Sequence, residues 1–180
     1  MFNSDIDINL NYFFMPFGPV KIDLNEIDLK YSIIDNLYYH KKTNSKWKKC
    51  LLYNTGWGQP DGFERLPELN FEDLIKLALK SDYRTTKLSI SEEESNKYGS
   101  IAIIMERHVD ELIDFLTINL ENEQLFQNDL YRHNLTLFCF DTEIARSNGG
   151  IGNQTYEEIL NHYPKWLEIS KKVREKIYSK

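Results

Sequence analysis

The segment from Ser91 to Leu120 constrains the fold more than any other, because its apolar residues recur with the spacing of an α-helix. Successive members are one, three or four positions apart, which places them on one face of a 3.6-residue period. They are Tyr98, Ile101, Ala102, Met105, Val109, Leu112, Ile113, Leu116 and Leu120. A few more apolar residues, including Ile118, lie outside this face. The pattern predicts one long central helix that begins with a capping box of Ser91 and Glu94.

Further helices are predicted on both sides of this segment. Asn70 is placed to cap one of them, since an apolar stripe follows it directly. Residues 123–147 repeat steps of four and three, and a glycine pair then ends the pattern. The last pattern runs from Tyr156 to Ile177, and Pro164 either kinks it or lies in the first turn of a separate helix. Short connections favour antiparallel neighbours.

The first 67 residues predict a part that contains β-strands. From Ile6 to Tyr12, and again over residues 20–24, apolar and polar residues alternate, which is the period of a strand. Residues 54–67 contain three glycines and two prolines and are predicted as a long loop, a kind that often carries function. Two interpretations remain for residues 25–40. Apolar steps of three and four favour a helix, and a strand through residues 30–39 is the alternative.

We therefore expect an α+β fold. The 180 residues suit a single domain with a substantial core, spanning residues 1–180. A small N-terminal part, residues 1–67, contains the strands and the long loop. It is expected to pack on a mostly antiparallel helical array that residues 68–180 form.

Charge is spread unevenly along the chain, whose net charge is −6. Residues 51–164 hold 20 acidic and 9 basic groups, whereas residues 41–50 hold five lysines and no acidic group. An acidic body repels nucleic acid and steers basic partners, although it also serves as ordinary solubilising charge. The lysines interleave with Trp47, as in sites for single-stranded nucleic acid. A solvated hairpin tip is the favoured interpretation, so no nucleic-acid partner is predicted.

The sequence predicts a cytoplasmic protein that does not bind membranes. Its first ten residues carry Asp5 and Asp7 and no basic residue, so they do not resemble a signal peptide. No apolar run approaches the roughly 20 residues of a membrane span. The two cysteines, Cys50 and Cys139, do not make a disulfide framework, so reduced thiols are expected.

No motif predicts a catalytic residue, a cofactor or a metal. None of the four histidines stands in a zinc-binding motif, and Cys139, between two phenylalanines, is favoured as a packing residue. The glycine-rich residues 147–153 lack the pattern of a phosphate-binding loop and are explained by one helix ending and another beginning. The enzymatic alternative is a site assembled from scattered residues such as His108, Glu106 and Asp110.

The candidate site is therefore a surface that binds another protein. A loop-borne tryptophan with acidic neighbours, as at Trp57, is typical of a protein-binding hot spot. Its alternative is a tryptophan folded into the core beneath its own loop. The predicted partner-binding residues are Trp57, Asp61, Glu64, Glu68, Glu92, Glu93, Asp110 and Asp114.

Two resemblances bear on the function. The segment from Lys97 to Leu116 resembles the inner helix of HEAT-like repeats, in which small residues, here Gly99 and Ala102, let a neighbour approach. Residues Phe71–Leu79 look similar to the partner helix. The chain as a whole resembles the small acidic immunity proteins encoded beside bacterial secreted toxins. That resemblance implies a cytosolic, single-domain protein that binds and blocks one toxin domain.

The expected function is that of a protein-binding inhibitor whose partner is a basic toxin domain. Electrostatic attraction would steer the partner onto the acidic middle of the chain, and an aromatic anchor would set the residence time. The alternatives are the enzyme described above and a helical scaffold or regulatory module.

Overall fold

A computed structural model describes residues 5–14, 23–25, 27–51, 61–80, 92–136 and 156–179. Within these ranges the N-terminal part forms a five-stranded antiparallel sheet, and the C-terminal part forms six helical segments. The predicted α+β class is therefore confirmed. Residues 147–153, the capping residue Ser91 and Cys139 lie outside the described residues, so the predictions made for them stay predictions.

The sheet consists of β1 (Phe13–Phe14), β2 (Leu29–Ser32), β3 (Leu37–His40), β4 (Lys46–Leu51) and β5 (Asp61–Arg65). Its strand order is β1-β5-β4-β3-β2, so the last four strands form an up-and-down meander and β1 pairs with the outer side of β5. The register places Glu64 of β5 between Phe13 of β1 and Lys48 of β4. Directly paired residues share a face of a sheet, so these three side chains lie in one row.

The helices are α1 (Phe71–Lys80), α2 (Glu92–Arg107), α3 (Val109–Asn119), α4 (Glu123–Gln127), α5 (residues 129–136) and α6 (Tyr156–Tyr178). Asn70 caps α1 as predicted, since its Oδ1 accepts a hydrogen bond from the backbone nitrogen of Asp73 at 2.9 Å. α6 is a single helix with Pro164 inside it. In the part of the chain that the structure describes, no helix is long and apolar enough to span a bilayer.

Residues 25–40 contain the β2–β3 hairpin, so the interpretation as a helix is wrong. The strands pair from Leu29 with His40 to Ser32 with Leu37, and residues 33–36 form the turn between them. Asn36 adopts φ 52°, in the left-handed region that asparagine tolerates better than most residues. Turn residues at 35–36, flanked by tyrosines and β-branched residues, favour a hairpin, and these local preferences outweigh the apolar spacing.

The predicted strand from Ile6 to Tyr12 is also wrong, because only Phe13–Phe14 is extended and paired there. Asn96 of α2 binds the backbone of this segment. Its Oδ1 accepts hydrogen bonds from the nitrogens of Tyr12 and Phe13 at 2.7 and 3.3 Å, and its Nδ2 donates to Leu10 O at 2.6 Å. A helix side chain therefore binds the backbone of a segment that the sequence predicted as a strand.

The predicted long loop over residues 54–67 needs correction at its end. Residues 61–65 form β5, which pairs with both β1 and β4. Residues 52–60 lie outside the described part of the chain. The single glycine within β5, Gly62, pairs with Cys50 of β4 and does not interrupt the strand. The pairing of residues 61–65 with two neighbouring strands therefore outweighs the local preference of glycine and proline for a loop.

The single helix predicted from Ser91 to Leu120 is two helices, α2 and α3, that meet at His108. His108 has φ −132° and ψ 34°, outside the helical region. The apolar spacing continues across this residue, so periodicity alone gave no sign of the break. A second break at Asn128 separates α4 from α5, where one helix over 123–147 was predicted; residues 137–147 are not described.

Two asparagines explain where α4 and α5 begin. Asn122 Oδ1 accepts a hydrogen bond from the backbone nitrogen of Gln124 at 3.2 Å. Asn128 Oδ1 accepts one from the backbone nitrogen of Tyr131 at 3.0 Å. Asparagine is a favoured N-cap because its side chain satisfies a backbone donor that the helix leaves without a partner. Asn128 could have been recognised in the sequence as a helix N-cap, but the apolar spacing continues across it and favoured one uninterrupted helix.

The two faces of the sheet contribute to different hydrophobic clusters. The face that carries Phe13 and Cys50 joins the main core, which the helices supply with most of its members. The opposite face carries Trp47, Phe63 and Leu29, which form a second, smaller cluster. The helical part therefore covers one side of the sheet, and the sheet builds its own small core on the other side.

Candidate functional site

Glu64, which the sequence predicted as a partner-binding residue, is buried between the sheet and α2. Its side chain is 1% exposed. Its Oε2 lies 3.2 Å from Arg107 Nη1 at the end of α2 and 3.3 Å from Lys48 Nζ of β4. Its Oε1 has no hydrogen-bond partner among the described residues. Burial removes Glu64 from the residues that are available to contact a partner.

Glu68 completes an ion cluster, which we define as Lys48, Glu64, Glu68 and Arg107. Glu68 Oε2 lies 3.2 Å from Arg107 Nη1, and its Oε1 accepts a hydrogen bond from Lys48 Nζ. The hydrogen bond from Lys48 is the main cause of a lowered pKa at the half-exposed Glu68 carboxyl. Two carboxylates and two cations leave the ion cluster with no net charge. It joins the sheet to α2 and presents no excess of acidic charge.

Cys50 lies close to the ion cluster, two residues after Lys48 on the same strand and therefore on the same face of the sheet. Burial, followed by the nearby Glu64 carboxylate, raises the pKa of its thiol to about 12. Because the thiolate is the nucleophilic form of cysteine, this environment suppresses reactivity. Cys50 therefore acts as a packing residue of the main core.

α3 carries an acidic surface that includes two of the predicted residues. Its sequence contains Asp110, Glu111 and Asp114 and no basic residue, and all three acidic residues are exposed. Asp110 and Asp114 are four residues apart, so they lie on the same side of the helix. The other side of α3 is buried in the main core through Val109, Leu112, Ile113 and Leu116.

Ile118 extends the acidic side of α3 by one further turn. It follows Asp114 by four residues, and it is 80% exposed. We call Asp110, Glu111, Asp114 and Ile118 the α3 surface. From the apolar spacing alone, Ile118 was placed only outside the buried face. An isoleucine on the otherwise acidic side of an amphipathic helix was the signal that could have identified it.

His108 lies at the beginning of α3, next to the α3 surface. Its Nδ1 is 3.0 Å from Glu111 Oε1, and its ring centroid is 6.1 Å from that of Phe71. The hydrogen bond with His108 is the main cause of a lowered pKa at Glu111, so this carboxylate keeps its charge to lower pH. The enzymatic alternative named His108, Glu106 and Asp110 as an example of a scattered site. The hydrogen bond of His108 goes to Glu111, and the enzymatic alternative stays a prediction.

The remaining predicted residues are only partly placed. Asp61 begins β5, and Glu92 and Glu93 lie in the first turn of α2. Trp57 lies outside the described residues. Across the described ranges, no group of three or more His, Cys, Asp and Glu side chains is arranged to hold a metal ion. Asp110 and Asp114 thus lie together on one exposed surface, whereas Glu64 and Glu68 belong to the ion cluster.

No family model matches the chain, and neither a curated protein nor a solved structure matches it. Any inference about its function therefore depends on its own geometry.

Proposed function

We propose that this chain is a protein-binding inhibitor, and specifically an immunity protein that binds and neutralises a basic toxin domain. The observation that carries the proposal is the α3 surface, on which three carboxylates lie beside an isoleucine that is 80% exposed. Carboxylates attract a basic partner. Burial of an exposed isoleucine against that partner stabilises the complex.

The two components of the α3 surface have separable kinetic effects. Exposed charges accelerate the encounter of two proteins and are screened by salt, so they act mainly on the association rate. A buried apolar contact acts mainly on the dissociation rate. The ion cluster carries no net charge, so we assign the first effect to Asp110, Glu111 and Asp114 of the α3 surface.

The test uses the protein encoded beside the gene for this chain. We expect its purified basic domain to form a one-to-one complex with this chain and to lose its toxic activity in that complex. Binding kinetics are measured at low and at moderate salt, and neutralisation is measured as survival of cells that express both proteins. The association rate is expected to fall as salt rises.

Charge removal on the α3 surface provides the specific variant. The double variant Asp110→Asn/Asp114→Asn is expected to lower the association rate at low salt roughly 10-fold and to reduce its salt dependence. The matched control, Glu168→Gln/Glu175→Gln on α6, removes the same charge from exposed positions and should change the rate little. A complex that forms equally fast with both double variants would contradict a role for the α3 surface. No complex and no neutralisation would contradict the proposed function itself.

A further inference from the structure

The most exposed apolar side chains in the described part of the chain lie at the tip of the β2–β3 hairpin. Ile33 is 84% exposed and Ile34 is 92% exposed. They are the first two residues of the turn that joins the strands. Scattered single apolar residues are common on protein surfaces, but two adjacent isoleucines at a projecting turn form a concentrated apolar feature.

Two tyrosines hold the turn in one conformation. Tyr31 Oη donates a hydrogen bond to Asn36 Oδ1 at 2.8 Å, and Tyr39 Oη donates one to Asp35 Oδ2 at 2.8 Å. These bonds tie both polar residues of the turn to the strands beside it. Ile33 and Ile34 are therefore presented on an ordered turn, so a partner that covers them would have little conformational entropy to remove.

The hairpin is also connected to the second hydrophobic cluster. The rings of Tyr31 and Tyr38 have centroids 4.7 Å apart, and those of Tyr38 and Phe63 are also 4.7 Å apart with an edge-on geometry. Phe63 is a buried member of that cluster. A continuous series of aromatic contacts thus runs from the cluster to the base of the turn and supports its position.

Charge at the tip selects between classes of partner. Asp35 is exposed beside the two isoleucines, and residues 31–39 contain no basic side chain. An anionic membrane surface would repel this carboxylate, and the net charge of −6 adds to that repulsion. A protein pocket that is apolar inside and basic at its rim matches both features, because the rim can donate hydrogen bonds to Asp35.

We propose that the β2–β3 hairpin tip is a second anchor on the toxin partner, with Ile33 and Ile34 inserted into an apolar pocket whose rim is basic. This inference rests on the proposed function and identifies a contact separate from the α3 surface. The hairpin tip acts with Ile118 to lengthen the lifetime of the complex, whereas the carboxylates of α3 determine how fast it forms.

The experiment measures binding of the double variant Ile33→Ser/Ile34→Ser to the same purified toxin domain. Burial of two isoleucines predicts a dissociation rate that rises roughly 10- to 100-fold, with an unchanged association rate and salt dependence. A matched control is Tyr178→Ser, which removes another large side chain that is 68% exposed at the end of α6. Both variants should keep the thermal unfolding midpoint of the parent chain, because the replaced side chains are exposed.

The outcomes distinguish this inference from the proposed function. A complex whose dissociation rate is unchanged in the Ile33/Ile34 variant overturns the hairpin anchor and leaves the proposed function in place. Absence of any complex with the parent chain overturns both. Binding of the chain to vesicles of anionic phospholipid and the oligomeric state of the chain alone are measured in parallel. Vesicle binding or self-association that is lost only in the Ile33/Ile34 variant, with unchanged toxin binding, also overturns the hairpin anchor.

Discussion

At the scale of single residues, the burial of Glu64 makes Arg107 more important for stability than its partly exposed position suggests. Arg107 Nη1 lies 3.2 Å from both Glu64 and Glu68, but the two carboxylates differ in exposure, at 1% and 52%. When the cation is removed, a buried carboxylate is left without compensation for its lost hydration, whereas an exposed carboxylate stays hydrated. The interaction with Glu64 therefore accounts for most of what Arg107 contributes.

We expect Arg107→Ala to lower the free energy of unfolding by about 2–3 kcal/mol, because Lys48 then remains as the cation beside Glu64. Glu68→Ala, which removes an exposed partner of the same arginine, should cost less than about 1 kcal/mol. Urea denaturation of the two variants and the parent chain measures both values. Equal costs would show that the buried pair contributes no more than the exposed one.

The thiol of Cys50 provides a second prediction at this scale. Burial and Glu64 raise its pKa to about 12, from the ordinary value of 9.0 for a cysteine thiol. The unfolded chain therefore ionises this thiol at lower pH than the folded chain does, and stability falls as pH rises above about 9. In a Cys139→Ser background, the native thiol should react with a disulfide reagent at pH 8 at least about 100-fold more slowly than in denaturant.

The matched measurement is the pH dependence of unfolding. Between pH 9 and pH 12 the parent chain should lose stability more steeply than Cys50→Ala does, by at most about 1.4 kcal/mol per pH unit, since alanine cannot ionise. The difference between the two chains isolates the thiol from lysines and tyrosines that titrate in the same range. Parallel pH profiles, or rapid native labelling of Cys50, would contradict a buried, protonated thiol.

At the scale of elements, the contact between α2 and β1 depends on the absence of a side chain at Gly99. A Cβ atom built at Gly99 would lie 2.6 Å from Phe13 Cβ, closer than real Cβ contacts occur. The HEAT-like resemblance implied that Gly99 lets a neighbour approach the helix. The neighbour is a strand residue, Phe13, and Asn96 one turn earlier binds the same segment.

Gly99→Ala is expected to lower the free energy of unfolding by about 1–3 kcal/mol through overpacking. The higher helix propensity of alanine, worth about 1 kcal/mol, offsets part of this cost. Phe13→Leu in the same chain gives the added methyl group more room, so the double variant should be more stable than the sum of the two single effects. Thermal unfolding of the four chains measures this coupling. Strict additivity would mean that Gly99 and Phe13 do not constrain each other.

At the scale of the whole molecule, the sheet and the helices are joined by three different kinds of contact. Phe13 enters the main core, Asn96 binds the backbone of the N-terminal segment, and the ion cluster joins β4 and β5 to the end of α2. Because these contacts differ in position and chemistry, we expect the two parts to unfold as one cooperative unit.

Hydrogen exchange followed by mass spectrometry at increasing denaturant checks this expectation. Peptides from the β3–β4 region and from α2 should become exchangeable at one common denaturant midpoint. Asn96→Ala should lower the midpoint of both sets together, because it weakens a contact that they share. If the sheet peptides open first while α2 stays protected, the chain consists of two units that unfold separately.

The amino-acid sequence by itself determined the features that depend on neighbouring residues. The cap at Asn70, the amphipathic helices and the α+β class follow from interactions over three or four positions along the chain. The acidic character of α3 was readable for the same reason, since Asp110 and Asp114 lie one turn apart on a helix whose other side is apolar.

Only the tertiary structure decided the features that depend on residues far apart in the chain. Glu64 is buried because Arg107, 43 positions later, lies at the end of α2 beside it. The segment before Phe13 is held by Asn96, 83 positions away from Phe13, and by Arg65 of β5, whose backbone nitrogen donates to Tyr12 O at 2.8 Å. Sequence spacing carries no information about such encounters. Packing decides whether an acidic side chain is buried beside cations, as Glu64 is, or exposed on a helix, as Asp110 and Asp114 are.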